Sequence, residues 1–321
     1  MKLKIVRLQR RNWFLKFGTP IMFLIISLIV IALLSRDLGR RKAEPRSSSR
    51  FYSTSFLMGT SVRCDTKTPF LVLLVTSSPE QLEARSAIRQ TWGSEQLVGG
   101  ARSVTYFLLG NGREWQDRIR REGELHRDII QGDFEDAYHN LTRKVLMGLE
   151  WVCSYCPSAS FVMKTDSDVF VNTDYLIELL SRHPTMSNLF TGFIMKHRKP
   201  VRDNTSKWYV SEEEYPGDTY PPFCSGTGYV LSIDLACRVW HTSSSAHLLK
   251  LEDIHVALRI AEMKVEPVPI ISQPVFRSYQ VPFSICSYRR LVTSHQATIS
   301  EQLLYWKALK DSADEKCPGD P

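Results

Sequence analysis

The sequence lacks three features, and each absence disfavours one class of function, fold or site. Beyond residue 50 there is no basic stripe with interleaved aromatic residues, and 29 Lys/Arg stand against 32 Asp/Glu there, so nucleic-acid binding is not indicated. No internal repeat is present, so a repeat architecture is not indicated either. The pair Cys153 and Cys156 has no second Cys/His pair at zinc-site spacing, and we therefore interpret it as structural.

The basic residues are concentrated at the amino terminus, around an apolar segment. Residues 1–50 carry 12 Lys/Arg and 2 Asp/Glu, and residues 17–34 are uncharged, long enough as a helix to span about 27 Å of a thin endomembrane. Six basic residues precede this run, which favours a cytoplasmic amino terminus. We predict a cytoplasmic tail over 1–16, a transmembrane signal-anchor helix over 17–35 and a lumenal stem over 36–67. A cleaved signal peptide fits less well, because charged residues follow the run instead of a small-residue cleavage site.

All seven cysteines lie beyond this segment. In a lumenal compartment some of them should form disulfides, and the odd number leaves at least one free or intermolecular. Two sequons, at Asn140 and Asn204, would be open to glycosylation in the same compartment.

Apolar runs that alternate with amphipathic segments indicate an α/β fold with a mostly parallel sheet. Continuous apolar runs of this kind are typical of strands buried on both faces. Short strand-like runs at 190–195 and 229–232 suggest a mixed second half. The globular domain is predicted over 68–312, followed by a tail over 313–321. Its predicted elements include strands at 69–76 and 103–109, a helix at about 140–153, a strand that ends at Asp166 and a helix through 175–180.

Two carboxylates, Asp166 and Asp168, stand one residue apart where an apolar strand ends. Side chains at i and i+2 of an extended chain point the same way, and open α/β sheets bind ligands at the carboxyl ends of their strands. A hard divalent ion that also contacts substrate phosphates would suit this pair. The alternative is ordinary turn chemistry. An EF-hand is excluded, because Phe170 stands where a third oxygen ligand belongs and no glycine follows.

Six separated segments form a recognisable set: Arg85–Gly93, Asp133–Lys144, Val162–Phe170, Tyr220–Tyr229, Leu251–Val256 and the tail around His295. Together they span about residues 68 to 310, and they resemble the β-1,3-galactosyltransferases of glycosyltransferase family 31. One departure stands beside Asp253, where His255-Val-Ala257 replaces a more usual aromatic, variable residue and glycine.

The resemblance implies a GT-A catalytic domain that uses UDP-galactose as donor and Mn²⁺ as cofactor. It makes Asp168 and His295 direct metal ligands, with Asp166 on the metal-bound water or the ribose. Arg85 is a candidate nucleotide contact. Asp253 is the candidate base that accepts a proton from the acceptor hydroxyl, and a single displacement with one base would invert the α-linked donor to a β-linked product.

The resemblance also implies an acceptor with terminal N-acetylglucosamine or N-acetylgalactosamine, on a glycoprotein or glycolipid, in the Golgi membrane. Trp208, Tyr220 and Glu252 are candidate acceptor contacts, since aromatic rings stack on sugars. The alternatives are a β-1,3-N-acetylglucosaminyltransferase that uses UDP-N-acetylglucosamine and a non-catalytic carbohydrate-binding relative. A phosphatase that uses the first Asp as nucleophile is disfavoured, because that chemistry needs it on an early strand.

Overall fold

The computed structural model describes residues 54–59, 64, 68–244, 246–312 and 316–317. The predicted cytoplasmic tail, the predicted membrane segment and most of the predicted stem lie outside these residues. Among the residues that are described, no helix combines the length and the apolar character needed to cross a membrane.

A mixed sheet forms the centre of the domain. Its four middle strands are parallel and lie in the order β5 (Ile129–Glu135), β4 (Ala101–Asn111), β2 (Leu71–Thr76) and β6 (Phe161–Asp166). The remaining strands pair antiparallel: β1 (Phe56–Met58) on β5, β3 (Gln96–Val98) on β4, β9 (Phe223–Ser232) on β6 and β8 (Phe190–Met195) on β9. The predicted α/β sheet with a mixed second half is therefore confirmed. The expectation of a mostly parallel sheet is wrong, because among the described strands of this sheet three pairs are parallel and four are antiparallel.

Helices cover both faces of this sheet. Strand β2 is buried along its whole length, and its side chains alternate between two apolar layers, Val72 and Leu74 in one and Leu71, Leu73 and Val75 in the other. This is the packing expected of a strand that is apolar on both faces. The helices are α1 (Leu82–Gln90), α2 (Gln116–His126), α3 (Leu141–Tyr155), α4 (Thr173–Arg182), α5 (Ile233–Ser243), α6 (Glu252–Glu262), α7 (Ile285–Arg289) and α8 (Ile299–Asp311).

A small separate ladder brings the carboxyl-terminal part of the chain to the end of β6. Strand β7 (Val169–Val171) pairs antiparallel with β10 (Thr293–His295). Next to it the buried Gln302 of α8 donates to the carbonyl of Ser167 at 3.0 Å and accepts from the indole of Trp92 at 2.8 Å. These contacts fix the loop between β6 and β7 against α8 and the turn that follows α1.

Three disulfides close the domain: Cys64–Cys156, Cys153–Cys237 and Cys286–Cys317. The seventh cysteine, Cys224, is free and buried. The expectation of paired cysteines with one left over is confirmed. The two cysteines of the Cys153-Ser-Tyr-Cys156 segment bond to different partners, so their spacing reflects structure.

Candidate active site

The Asp166 carboxylate lies at the carboxyl end of β6, next to the end of β2. One of its oxygens accepts from the Thr76 hydroxyl at 2.6 Å and from the Lys164 ammonium at 2.7 Å. Residues 76 and 166 are directly opposite in the parallel ladder, which explains why their side chains meet. Asp166 is therefore oriented by both strands.

Asp168 follows on the exposed side of the same loop and lies beside His295. Its carboxylate oxygen is 3.3 Å from His295 Nε2, with 55% of the Asp168 side chain exposed. Burial opposes ionisation of this carboxyl, but its hydrogen bond with His295 and the charge of that ring outweigh burial and lower the pKa of Asp168. The same hydrogen bond raises the pKa of His295, against the effect of burial.

The ring orientation of His295 follows from its backbone. His295 pairs with Val169 across the small ladder, and the amide of Ala297 donates to the Asp168 carbonyl at 2.9 Å. Between them Gln296 has φ of 60°, a left-handed conformation that is uncommon for residues other than glycine. His295 Nδ1 is 3.2 Å from the carbonyl of Ser278, and since a carbonyl can only accept, Nδ1 carries a proton. Nε2, which faces the Asp168 carboxylate at 3.3 Å, is then the nitrogen that would bind a metal once its own proton is lost.

Asp168 and His295 fit the chemistry of Mn²⁺, because a mixed carboxylate and imidazole shell suits this metal better than Ca²⁺. Within the described part of the chain, no group of three or more His, Cys, Asp or Glu side chains forms a complete cation site. Two protein ligands leave positions that diphosphate oxygens and water would have to fill, as is common for ions that act on nucleotides.

Asp253 lies in the first turn of α6, on the other side of Lys164. One carboxylate oxygen accepts from the backbone N–H of Gly226 at 3.0 Å and the other from the N–H of Ile254 at 2.9 Å. Burial raises the pKa of Asp253, although these two hydrogen bonds act against the increase. A carboxylate with a raised pKa is a stronger base than an exposed one.

Glu252 and Lys164 are buried between Asp166 and Asp253. Glu252 is 2% exposed; it accepts from the Tyr229 hydroxyl at 2.7 Å and lies 3.2 Å from Lys164 Nζ. Burial raises the pKa of Glu252 to about 7, although the Lys164 charge acts in the opposite direction. Both carboxylate oxygens are thus engaged inside the protein, and contact between Glu252 and an acceptor stays a prediction.

The buried Arg85 shapes the loop that follows β2. Its guanidinium makes two 2.8 Å hydrogen bonds to Glu122 and donates to the carbonyl of Ser78 at 2.6 Å. The same loop is held by Lys144 of α3, whose ammonium lies 2.6 Å from the Ser77 carbonyl. Arg85 is therefore placed to position this loop, and direct contact with a nucleotide stays a prediction.

A cavity of about 450 Å³ opens beside Asp168. It lies between the loop after β2, the start of α2 and the start of α8. Its lining combines apolar and charged side chains, among them Glu80, Leu82, Trp115, Arg118 and Ile299.

The two aromatic acceptor candidates differ in exposure. Trp208 is 52% exposed on the surface. Tyr220 is 7% exposed and packs on Tyr215 and Phe223, with ring centroids 5.0 and 6.3 Å apart. Its hydroxyl has no hydrogen-bond partner among the described residues. Neither placement tests acceptor binding, and both assignments stay predictions.

The two sequons also differ. Asn204 is exposed, whereas Asn140 is partly buried and donates to the carbonyl of Glu135 at 2.9 Å. The Thr142 hydroxyl of the Asn140 sequon is buried as well, donating to the carbonyl of Leu249 at 2.6 Å. Asn204 is therefore the more accessible of the two.

Sequence reasoning missed Lys164, Tyr229 and Lys144 as parts of the site. A signal was present for Lys164, because a lysine inside an apolar strand is rarely buried without a partner. Tyr229 carried no local signal, since its partner Glu252 is far away in sequence.

The sequence of this chain is similar to those of known galactosyltransferases. A family model described as Galactosyltransferase matches residues 83–270, a range that includes Asp166, Asp168 and Asp253. The chain is 48% identical over 265 residues to beta-1,3-galactosyltransferase 5 of Mus musculus, covering 82% of this chain and 86% of that one. It is 45% identical over 298 residues to beta-1,3-galactosyltransferase 5 of Homo sapiens, covering 91% and 96%.

Among solved structures, a glycosyltransferase involved in glycosylation of the major capsid of PBCV-1 aligns with 13% identity and a TM-score of 0.38. The alignment covers 74% of this chain and 100% of the other. A score of this size does not identify a common fold, and the GT-A assignment stays a prediction.

Proposed function

Because the chain belongs to the galactosyltransferase family and is a galactosyltransferase enzyme, we propose that it transfers galactose from UDP-galactose. The acceptor would be the 3-hydroxyl of a terminal N-acetylglucosamine or N-acetylgalactosamine on a glycoprotein or glycolipid. The transfer would form a β-1,3 linkage with inversion and would depend on Mn²⁺. The observation that carries this proposal is the joining of two acidic centres, Asp166 and the Glu252–Asp253 pair, through Lys164 at 2.7 and 3.2 Å.

The Asp166 side of the site is suited to the donor. Asp168 and His295 would hold Mn²⁺, and Asp166, held by Thr76, would orient a metal-bound water or the ribose. When bound, the metal would stabilise the negative charge that develops on the departing diphosphate. The cavity beside Asp168 has room for the nucleoside part of the donor, and its Trp115 ring supplies an apolar surface.

The Asp253 side is suited to the acceptor. An alcohol is a poor nucleophile, so a base must receive its proton as the new bond forms. Two backbone N–H groups orient Asp253, and burial raises its pKa; the fixed orientation and the raised pKa favour this role. One base and one displacement convert an α-linked donor into a β-linked product.

The proposed location is the Golgi membrane, with one membrane-spanning segment and a lumenal catalytic domain. Its support is the uncharged run at 17–34 between basic flanks, together with three disulfides, which form and persist in oxidising compartments.

The test is an assay of the detergent-solubilised full chain with UDP-galactose or UDP-N-acetylglucosamine, a panel of acceptors, and Mn²⁺ or a chelator. We expect UDP to be released from UDP-galactose when an acceptor and Mn²⁺ are both present, and not when Mn²⁺ is chelated. Equal turnover with UDP-N-acetylglucosamine would favour the alternative donor, and full turnover after chelation would refute the metal. Absence of turnover with every pair would favour a non-catalytic relative.

Asp253→Asn tests the base. Loss of a general base should lower kcat by about 10³-fold while the affinity for UDP stays nearly constant. Asp117→Asn is a matched control, because Asp117 is exposed on α2 and its carboxylate pairs, among the described residues, with Arg120 alone at 3.1 Å. Equal kcat in the Asp253 and Asp117 variants would remove Asp253 from the mechanism.

A further inference from the structure

Among the described residues, Lys164 is the one side chain that contacts both acidic centres of the site, Asp166 and the Glu252–Asp253 pair. It is 1% exposed, and its ammonium lies 2.7 Å from Asp166 Oδ1, 3.2 Å from Glu252 Oε2 and in hydrogen-bond contact with the Gly226 carbonyl. These partners belong to three elements, β6, α6 and β9. An ammonium group has three N–H donors, so each contact can use one of them.

The strand register explains why these groups meet. Lys164 and Tyr229 are directly opposite in the antiparallel pair of β6 and β9, so their side chains project from the same face. Both reach Glu252, the lysine at one oxygen and the tyrosine hydroxyl at the other. Glu252 is thereby fixed at both carboxylate oxygens, and Asp253 follows it directly in the chain.

Gly226 provides a second connection between Lys164 and Asp253. Its carbonyl accepts from Lys164, and its N–H donates to Asp253 Oδ2 at 3.0 Å. A Cβ at this position would lie 3.2 Å from Glu252 Oε2 and 3.5 Å from Asp253 Oδ2, so glycine permits the close approach. Lys164 is thus connected to Asp253 indirectly in two ways: through Glu252, which precedes Asp253 in the chain, and through Gly226, which contacts both residues.

We propose that Lys164 is a positioning residue that sets the distance between the donor-side carboxylate Asp166 and the base Asp253. The inference rests on the proposed function, since it assigns these two carboxylates to the donor and the acceptor. Lys164 does not touch the reacting atoms in this arrangement; it acts through Asp166, Glu252 and Gly226. Reaction geometry is sensitive to such positions, because a misplacement of about 1 Å can cost about 100-fold in rate.

The test is Lys164→Met, which keeps an unbranched side chain, one heavy atom shorter, and removes its charge and donors. We expect kcat for transfer to fall by about 100-fold while the dissociation constant of UDP with Mn²⁺ changes by less than about fivefold. Turnover, isothermal titration with UDP and thermal unfolding are measured on the full chain.

Lys144→Met is the matched comparison, because Lys144 is also a buried lysine paired with a carboxylate, Asp136, at 2.6 Å. It contacts the Ser77 carbonyl of the loop that follows β2, and its contacts within the described part of the chain do not include Glu252 or Gly226. We expect the opposite pattern, weaker UDP binding with a smaller effect on kcat. If both variants lose kcat and UDP affinity in the same proportion, Lys164 has only a general structural role and the inference is overturned.

Tyr229→Phe keeps the inference testable if Lys164→Met does not fold. It removes only the hydrogen bond to Glu252, and we expect kcat to fall by about tenfold with UDP affinity unchanged. Wild-type kcat in this variant and in any folded Lys164→Met protein would overturn the positioning role. If Asp253→Asn also keeps full turnover, the proposed base fails as well; if Asp253→Asn is inactive, only the positioning role fails.

Discussion

His255 should make the stability of the domain depend on pH. It lies in α6, two residues after Asp253, and is buried. Its Nδ1 accepts from the backbone N–H of Leu249 at 3.4 Å and its Nε2 lies 3.0 Å from the Ser243 hydroxyl. The ring therefore fits as a neutral imidazole, with Nδ1 as acceptor and Nε2 as donor.

Burial lowers the pKa of His255 to about 4, with smaller contributions from the nearby Arg259 and His247 side chains. The unfolded chain binds a proton at this residue near pH 6.5 and the folded chain only near pH 4, so the folded state loses stability as pH falls through this window. The linkage amounts to about 2 kcal/mol at pH 5 and about 3 kcal/mol once pH falls below the folded pKa. Above about pH 7.5 the contribution is complete.

The assay is urea unfolding of wild type and His255→Gln under non-reducing conditions between about pH 5 and pH 7.5. Glutamine can accept from Leu249 and donate to Ser243 but does not titrate in this range. We expect the free energy of unfolding of wild type to decrease on acidification by about 2 kcal/mol more than that of the variant. Equal pH dependence in the two proteins would refute the assignment of a buried neutral imidazole.

Three further changes test other parts of the structure. Gly226→Ala should lower kcat in steady-state assays, because its Cβ would lie 3.2 Å from Glu252 Oε2 and the acidic pair must shift by a few tenths of an ångström; an unchanged kcat would contradict this. Arg85→Met should lower the free energy of unfolding by about 2 kcal/mol, since it removes a buried bidentate partner of Glu122, which keeps its 2.7 Å contact with Arg89; a loss below about 1 kcal/mol in urea unfolding would argue against it. Asn204→Gln should reduce the apparent mass of protein made in eukaryotic cells, because this exposed sequon is the more accessible one; an identical mass would mean that it carries no glycan.

The parts of the fold that local pattern predicts are those in which one stretch of chain determines its own environment. The apolar run at 69–76 predicted a strand buried on both faces, and β2 is buried along its whole length. Asp166 and Asp168 were expected where a strand ends, and β6 ends at Asp166. In contrast, the 3.3 Å approach of His295 to Asp168 depends on the pairing of β10 with β7, which no local spacing indicates. That residue was identified only through the family resemblance.

Glu252 and Lys164 illustrate why the interior of the site was harder to predict. From sequence, Glu252 fits the first turn of a helix, where the helix dipole favours acids, and it does begin α6. Its burial against Lys164 and Tyr229 comes from the antiparallel addition of β9 to β6, a long-range pairing that the alternating pattern of strands and helices does not specify. A buried charge is costly unless it is paired, so a lysine near the end of an apolar strand implies that a carboxylate lies close to it. Asp166, two residues along the same strand, is one such carboxylate. The other is Glu252, on the helix that also carries Asp253. One ammonium group can therefore connect the donor side of the site to its base.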